Sequence, residues 1–372
     1  MLESTVDEHY MKIALRLAES ARGQTTPNPL VGAVIVRDGR IVGVGAHLYA
    51  GGPHAEINAL NMAGDKAVGS TVYVTLEPCS HYGKTPPCAN ALVEANVERV
   101  IIAVQDPNPE VSGAGIQRLR NAGIEVEVGV LEAEARALNS AFFCWIRKDR
   151  PLIVWKAAAT LDGYIAAETG DSRYVTGPEA RHAVHALRRR IPAIAVGVQT
   201  IITDNPQLTD RFGNSQQRQP LRVVFDSTLR TPVSAKVLQE PGQTLFYTTE
   251  RASPHRTHAL EEVNPGNVKV VALPSTPEGH VPLQEALTEL SARGINELLV
   301  EGGATIVSQL LRQQLIDELV YFVAPKILGG GIPVLAGLGP TLMTDAVSVQ
   351  NVTWEQIGPD LCLRGTLKYD DV

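Results

Sequence analysis

One histidine, one glutamate and two cysteines set the chemistry open to this chain. Gly52-Pro53-His54-Ala55-Glu56 is followed by Glu77-Pro78-Cys79-Ser80-His81-Tyr82-Gly83-Lys84-Thr85-Pro86-Pro87-Cys88. An imidazole nitrogen from His54 and sulfurs from Cys79 and Cys88 form a borderline-soft donor set that suits zinc. A catalytic zinc takes three protein ligands and keeps a fourth position open. A structural zinc needs a fourth protein ligand, for which His81 is the candidate. Glu56 lies two residues beyond His54, on the same helical turn. A carboxylate there can take a proton from water and return it to a leaving amine. Taken singly, a His-Ala-Glu at a helix start reads as a cap and a Pro-Cys as nothing; together they are specific.

Elements must hold these groups in place. Pro53 predicts a helix over His54–Met62, and Pro86-Pro87 one from Cys88 to about Asn96. His54 and Cys88 therefore stand at helix N-termini, where the dipole favours a thiolate. Thr71–Leu76 and Val100–Val104 read as buried strands, and Leu30–Arg37 and Ile41–Ala46 as a hairpin turning at Asp38-Gly39. Asp7–Ser20 reads as an amphipathic helix capped by Asp7, with Met11, Ala14, Leu15 and Ala18 on one face. The charged run Arg147–Arg150 before Pro151 predicts a boundary between domains 1–148 and 149–372. Beyond it, Leu152–Ala158, Ala193–Gly197, Leu221–Phe225, Thr244–Tyr247, Val268–Ala272 and Glu297–Val300 read as strands. Glu179–Arg190, Pro282–Arg293 and Ala304–Arg312 read as helices, and 209–220 and 252–266 as loops. This alternation predicts an α/β protein.

Composition narrows the function classes. The chain has 372 residues, 44% hydrophobic and 20% charged, which excludes a disordered or collagen-like polymer. It holds no run of eighteen apolar residues, so no membrane-spanning helix is expected. The early acids Glu3, Asp7 and Glu8 do not fit a secretory signal, and a cytoplasmic enzyme is the expectation. A net charge of −7 gives no basic footprint for a nucleic acid. Four cysteines in a chain this long suit metal or catalytic thiols better than a disulfide framework, with Cys144 and Cys362 as small buried residues.

His-x-Glu followed by Pro-Cys and a second cysteine resembles the zinc nucleobase deaminases. Eight residues rather than two separate Cys79 from Cys88. That insert, with Gly83-Lys84-Thr85-Pro86-Pro87-Cys88, resembles the deaminase of riboflavin biosynthesis, as do Thr26-Pro27-Asn28-Pro29-Leu30-Val31-Gly32 and Gly45-Ala46-His47. The resemblance implies that Asn28 and His47 hold the pyrimidine and that Lys84 meets the ribose phosphate. Alone, Lys84 reads as a solvated lysine and His47 as a strand-end histidine.

The second half by itself shows only α/β elements with glycine turns. Glu301-Gly302-Gly303-Ala304 ends a strand and opens a helix, which suits a phosphate as well as a plain turn. Lys156–Gly163, Gly170–Thr176, Val198-Gln199-Thr200 with Asp204-Asn205-Pro206, and Lys326–Gly330 resemble the pyrimidine reductase fused to that deaminase. The whole chain is thus similar to the bifunctional deaminase–reductases of riboflavin biosynthesis. The resemblance implies a cytidine-deaminase-like α/β/α domain with zinc, then a dihydrofolate-reductase-like domain using NADPH. It places Ala158, Tyr174, Thr200, Asp204, Ser227, Gly303, Ala304, Thr305, Ile306, Val307, Ser308 and Gln309 at NADPH. It turns Lys156, Ser172, Arg188, Leu208, Arg211 and Glu301 to the substrate, with Arg188 and Arg211 on its phosphate. Arg188 also reads as part of a charged helix end. A small phosphorylated pyrimidine is the expected partner, with no nucleic acid or membrane, and a homo-oligomer is expected. A nucleic-acid-editing deaminase and a zinc-stabilised binding module are the alternatives.

Overall fold

The computed structural model describes residues 2–80, 86–109, 111–212, 219–335, 337 and 342–369. The chain divides into two compact units, Met1–Asp149 and Arg150–Val372.

The first unit runs α1 (Leu2–Glu19), β1 (Gly32–Arg37), β2 (Arg40–Ala46), α2 (Ala55–Ala63), β3 (Thr71–Val74), α3 (Cys88–Glu94), β4 (Arg99–Ile102), α4 (Ala114–Asn121), β5 (Glu125–Val128), α5 (Glu132–Leu138) and α6 (Ser140–Lys148). Its sheet has the order β2-β1-β3-β4-β5. The β1–β2 hairpin turns at Asp38 and Gly39, both at positive φ (50° and 71°), as a two-residue turn requires. β3, β4 and β5 are parallel. Strand alternation then builds two cores. Ile35, Val72, Val74, Val100 and Ile102 pack with Ala59, Leu92, Ile116 and Leu119 on the side of α2, α3 and α4. Val34, Tyr73 and Ile101 pack with Met11, Ala14, Ala135 and Phe143 on the side of α1, α5 and α6. An α/β/α sandwich results.

Asp7 does not cap the first helix. α1 starts earlier, at Leu2, and Asp7 is buried inside it. Its carboxylate accepts the Tyr73 hydroxyl at 2.8 Å and Arg99 at 3.1 Å, so tertiary partners on β3 and β4 claim the group a cap would have used. Beyond the last element read from this unit's sequence come three helices and β5; β5 is short and mostly exposed, so hydrophobic alternation is missing there.

The second unit holds β6 (Leu152–Thr160), β7 (Tyr164–Ala166), α7 (Pro178–Arg190), β8 (Ala193–Gly197), α8 (Val198–Asp204), β9 (Leu221–Phe225), α9 (Lys236–Gln239), β10 (Thr244–Thr249), α10 (Pro254–Glu261), β11 (Val268–Leu273), α11 (Leu283–Ala292), β12 (Glu297–Glu301), α12 (Ala304–Arg312), β13 (Glu318–Ala324), β14 (Ile332–Pro333), β15 (Ser348–Ile357) and β16 (Asp360–Lys368). A nine-stranded sheet has the order β11-β10-β9-β8-β12-β6-β13-β16-β15, and β14 pairs with β7. The strands from β11 to β13 are parallel, while β16 and β15 are antiparallel additions. The stretch 252–266 is not simply a loop. Pro254 stands at the first turn of α10, where a missing N–H costs nothing, so this proline starts a helix.

Glycines let α2 lie against the hairpin. A Cβ on Gly43 would stand 2.3 Å from the Ala59 carbonyl oxygen, and one on Gly45 2.1 Å from that of Ala55. Gly45→Ala should therefore cost about 1–3 kcal/mol by overpacking and tilt the helix that carries Glu56. Thermal melting with zinc analysis checks this: a lower midpoint and weaker zinc retention are expected together.

Candidate active sites

Three elements bring the metal-ligating residues to one point. His54 stands at the N-cap position of α2, Cys88 is the first residue of α3, and Cys79 lies in the segment after β3. Their ligand atoms all lie within 4.8 Å of one another. His54 Nδ1 is 3.2 Å from Cys88 Sγ and 3.5 Å from Cys79 Sγ, and the Cys88 N–H donates to Cys79 Sγ at 3.3 Å. The hydrogen bond between the thiols pushes Cys79 down to about 4 and holds Cys88 above its ordinary value. The thiol pair thus favours one thiolate before any cation is considered, as a metal site needs. Glu56 is buried, and its Oε2 has no hydrogen-bond partner. Burial pushes its carboxyl up to about 7. An orphaned acid beside a His-Cys-Cys set is what a zinc ion with an open water position would complete, so the residues fit zinc.

Asn28 and His47 come together beside these ligands. Asn28 Nδ2 lies 3.0 Å from His47 Nε2, and His47 Nδ1 lies 3.1 Å from the Pro53 carbonyl oxygen. The His47 and His54 rings meet edge to face at 5.5 Å. Burial lowers the pKa of His47, favouring a neutral ring that can read a heterocycle. Asn139 clamps the preceding loop: it accepts the Leu30 N–H at 2.8 Å and donates to the Leu30 carbonyl at 2.9 Å. Nothing in the sequence singled out Asn139, because its partner is 109 residues away. Lys84 and His81 lie outside the described residues.

The second unit contains a cavity of about 830 Å³. It opens where β6, β8, β9 and β12 end, the usual ligand crevice of a parallel sheet. Lys156, Ala158, Ser172, Arg188, Thr200, Asp204, Leu208, Ser227, Glu301, Gly303, Ala304, Thr305, Ile306, Val307 and Gln309 all line it. Tyr174, Arg211 and Ser308 do not appear in that lining. Ser308 is buried, and Tyr174 is exposed beneath Arg181, whose guanidinium carbon stands 4.2 Å from the ring centre. Arg211 donates to Gln207 Oε1 at 2.9 Å. Gly302 and Gly303 take positive φ (79° and 78°), which lets the chain turn from β12 straight into α12. The helix thus aims its free N–H groups at the cavity, the arrangement that suits a phosphate. Arg230 and His280 also line it and were not foreseen. Arg230 follows the end of β9, so the strand-end rule could have found it; His280, in a loop, gave no signal.

At the cavity floor Arg188 grips Glu301 through two hydrogen bonds of 2.8 and 2.9 Å. The fork expected to meet a phosphate is thus already turned to a carboxylate. The Arg188 guanidinium holds Glu301 down to about 2 against the opposing effect of burial. Lys156 lines the same floor, and burial lowers its pKa.

Comparisons with known proteins agree with this division. Residues 4–104 match the family described as cytidine and deoxycytidylate deaminase zinc-binding region, and residues 151–363 match the RibD C-terminal domain. The riboflavin biosynthesis protein RibD of Aquifex aeolicus is 44% identical over 359 residues, covering 96% of this chain and 98% of that protein. Its Escherichia coli counterpart is 42% identical over 371 residues, covering 96% and 98%. Among solved structures, Acinetobacter baumannii RibD superposes with a TM-score of 0.88 at 37% identity, covering 98% of this chain and 99% of that one. A Thermotoga maritima diaminohydroxyphosphoribosylaminopyrimidine deaminase/5-amino-6-(5-phosphoribosylamino)uracil reductase gives a TM-score of 0.85 at 36% identity, covering 98% and 100%.

The Glu301 pairing makes stability depend on acid. Its folded pKa lies below the ordinary value of 4.5, so its contribution is complete above that value and is lost as pH falls towards about 2. Glu301→Gln should flatten this acid slope and, at neutral pH, cost about 3 kcal/mol by leaving Arg188 unpaired. Urea midpoints of the second unit between pH 7 and pH 3 check both.

Proposed function

This chain belongs to the RibD family, and on that premise we propose how its residues divide two reactions of riboflavin biosynthesis. The protein is a zinc-dependent hydrolytic deaminase and an NADPH-dependent reductase. The substrate of the first reaction is 2,5-diamino-6-(5-phosphoribosylamino)pyrimidin-4(3H)-one, and that of the second is 5-amino-6-(5-phosphoribosylamino)uracil. We assign the deaminase to residues 1–148 and the reductase to 149–372.

The single observation that carries the deaminase is the His54, Cys79 and Cys88 cluster with the buried Glu56 beside it, whose Oε2 has no hydrogen-bond partner. Zinc bound there supplies Lewis acidity and an acidified water. Glu56 takes a proton at its free Oε2 and gives it to the departing amine, a shuttle helped by a pKa near neutrality. Asn28 and His47 orient the pyrimidine edge against these groups, and Lys84 meets the ribose phosphate as a point charge.

In the reductase, NADPH supplies the hydride. The glycine turn and the start of α12, with Ala158, Thr200, Asp204 and Ser227, hold the cofactor. Tyr174 and Ser308 enter this assignment on the family resemblance alone, because neither lines the cavity. Lys156, Ser172, Leu208 and Glu301 face the ribosyl group whose anomeric carbon is reduced. Arg211, which does not line the cavity either, is assigned the substrate phosphate on the same resemblance. Arg188 acts with it only as far as the Glu301 pairing leaves donors free.

Among the described residues no helix is long and apolar enough to cross a membrane. We place the enzyme in the cytoplasm, acting on small molecules, with neither nucleic acid nor membrane as partner. A homo-oligomer is the reading that fits the edge of the large sheet. β15 is its last strand, and Val352, Trp354 and Leu361 form an exposed apolar face there. Trp354→Arg should yield a smaller species in sedimentation, and an unchanged mass would set this face aside.

The first experiment follows both reactions by mass spectrometry in the zinc-loaded protein. Amine should be replaced by oxygen without NADPH, and two hydrogens added only with it. Glu56→Gln should slow deamination at least a hundredfold while zinc content and reduction stay at wild-type levels. Deamination that survives in this variant removes Glu56 from the proton shuttle.

A further inference from the structure

The segment that carries Cys79 is gripped by a residue with no role in either reaction so far. Glu77 is buried two residues before Cys79. Its carboxylate accepts four backbone N–H groups from the 106–116 segment. Oε2 takes those of Asp106 (3.2 Å) and Gly113 (2.9 Å). Oε1 takes those of Gly115 (2.9 Å) and Ile116 (3.2 Å). The Gly115 and Ile116 amides belong to the first turn of α4, where backbone donors have no partner inside the helix. The same segment touches the next residue. A Cβ on Gly115 would stand 2.0 Å from the Pro78 carbonyl oxygen. On its other side, Cys79 is tied to α3: its carbonyl accepts the Ala89 N–H at 3.1 Å and its Sγ that of Cys88 at 3.3 Å.

We propose that Glu77 is a positioning residue for the zinc ligand Cys79. Its carboxylate anchors residues 77–79 to the start of α4, and this fixes where the Cys79 sulfur stands relative to His54 and Cys88. The proposal rests on the zinc-deaminase reading and adds a residue to it. The chemistry demands a carboxylate. Four N–H donors need two acceptor oxygens, and a glutamine supplies one. Its amide NH2 would face two N–H donors in a buried place, a repulsive contact that also leaves them without acceptors. The strand end must then shift, and Cys79 moves with it. Groups that orient metal ligands in this way typically account for 10–100-fold in metal affinity.

The test uses the full chain as wild type, Glu77→Gln, Glu77→Asp and Gly115→Ala. Zinc affinity is measured by competition with a chromophoric chelator, and the thiolate-to-metal absorption is recorded with Co²⁺ in place of zinc. Glu77→Gln and Gly115→Ala are expected to bind zinc 10–100-fold more weakly and to shift the cobalt band. Glu77→Asp, which keeps both oxygens, should recover part of both. Reduction by NADPH in the same chains should not change. Wild-type zinc affinity with a superimposable cobalt spectrum in Glu77→Gln overturns the proposal, even if the melting temperature falls. Should Glu77→Gln fail to fold, Gly115→Ala carries the same comparison with the carboxylate intact. A wild-type chain that takes up no zinc overturns the zinc reading, and the proposal with it.

Discussion

Three ligand atoms from separate elements must fall within 4.8 Å of one another, and much of the first unit is arranged to satisfy that. α2 delivers His54 and Glu56 only because Gly43 and Gly45 let it settle onto β2. α3 delivers Cys88 at its first residue, and the Cys88 N–H donates to Cys79 Sγ, which favours the thiolate on Cys79. Cys79 has no helix of its own, so its place is set by hydrogen bonds: to Ala89 and Cys88 on one side, and through Glu77 to the 106–116 segment on the other. A metal tolerates little error in its ligand positions, so these contacts are a condition of the chemistry.

The second unit solves a related problem by different means. Its ligand crevice is made by parallel strands ending together, and the helix that follows β12 turns its N-terminus to the same place. The polar floor needs charge without neutralising it completely. Glu301 and Arg188 satisfy each other through two hydrogen bonds. Lys156 lines the same cavity, close enough to Glu301 for their charges to interact. Burial of such a group is costly, and the neighbouring carboxylate offsets part of that cost.

Much of the site was legible because short-range rules fixed it. Pro53 and Pro86-Pro87 marked two helix starts, and those placed His54 and Cys88. The donor set named the metal. Strands with β-branched residues and the Asp38-Gly39 turn were found within a residue or two of their observed bounds. Less legible were segments whose identity depends on partners far along the chain. Asp7 looked like a cap but pairs with Tyr73 and Arg99, 66 and 92 residues away. Pro254 looked like a loop marker and instead opens α10. The exposed strand β15 showed no buried alternation to read.

The sequence alone set out the chemistry on offer: a His-Cys-Cys donor set that suits zinc and a carboxylate two residues beyond its histidine, while the glycine turn before α12 suited a phosphate and a plain turn alike. These follow from residue type and local spacing. Only the tertiary structure decided which groups are already engaged. Arg188 is held by Glu301 from 113 residues away, Asn139 clamps Leu30, and Glu77 turns to backbone amides rather than to the metal. Hydrogen bonds between distant segments form only when packing brings them together, and no periodicity or motif encodes that distance.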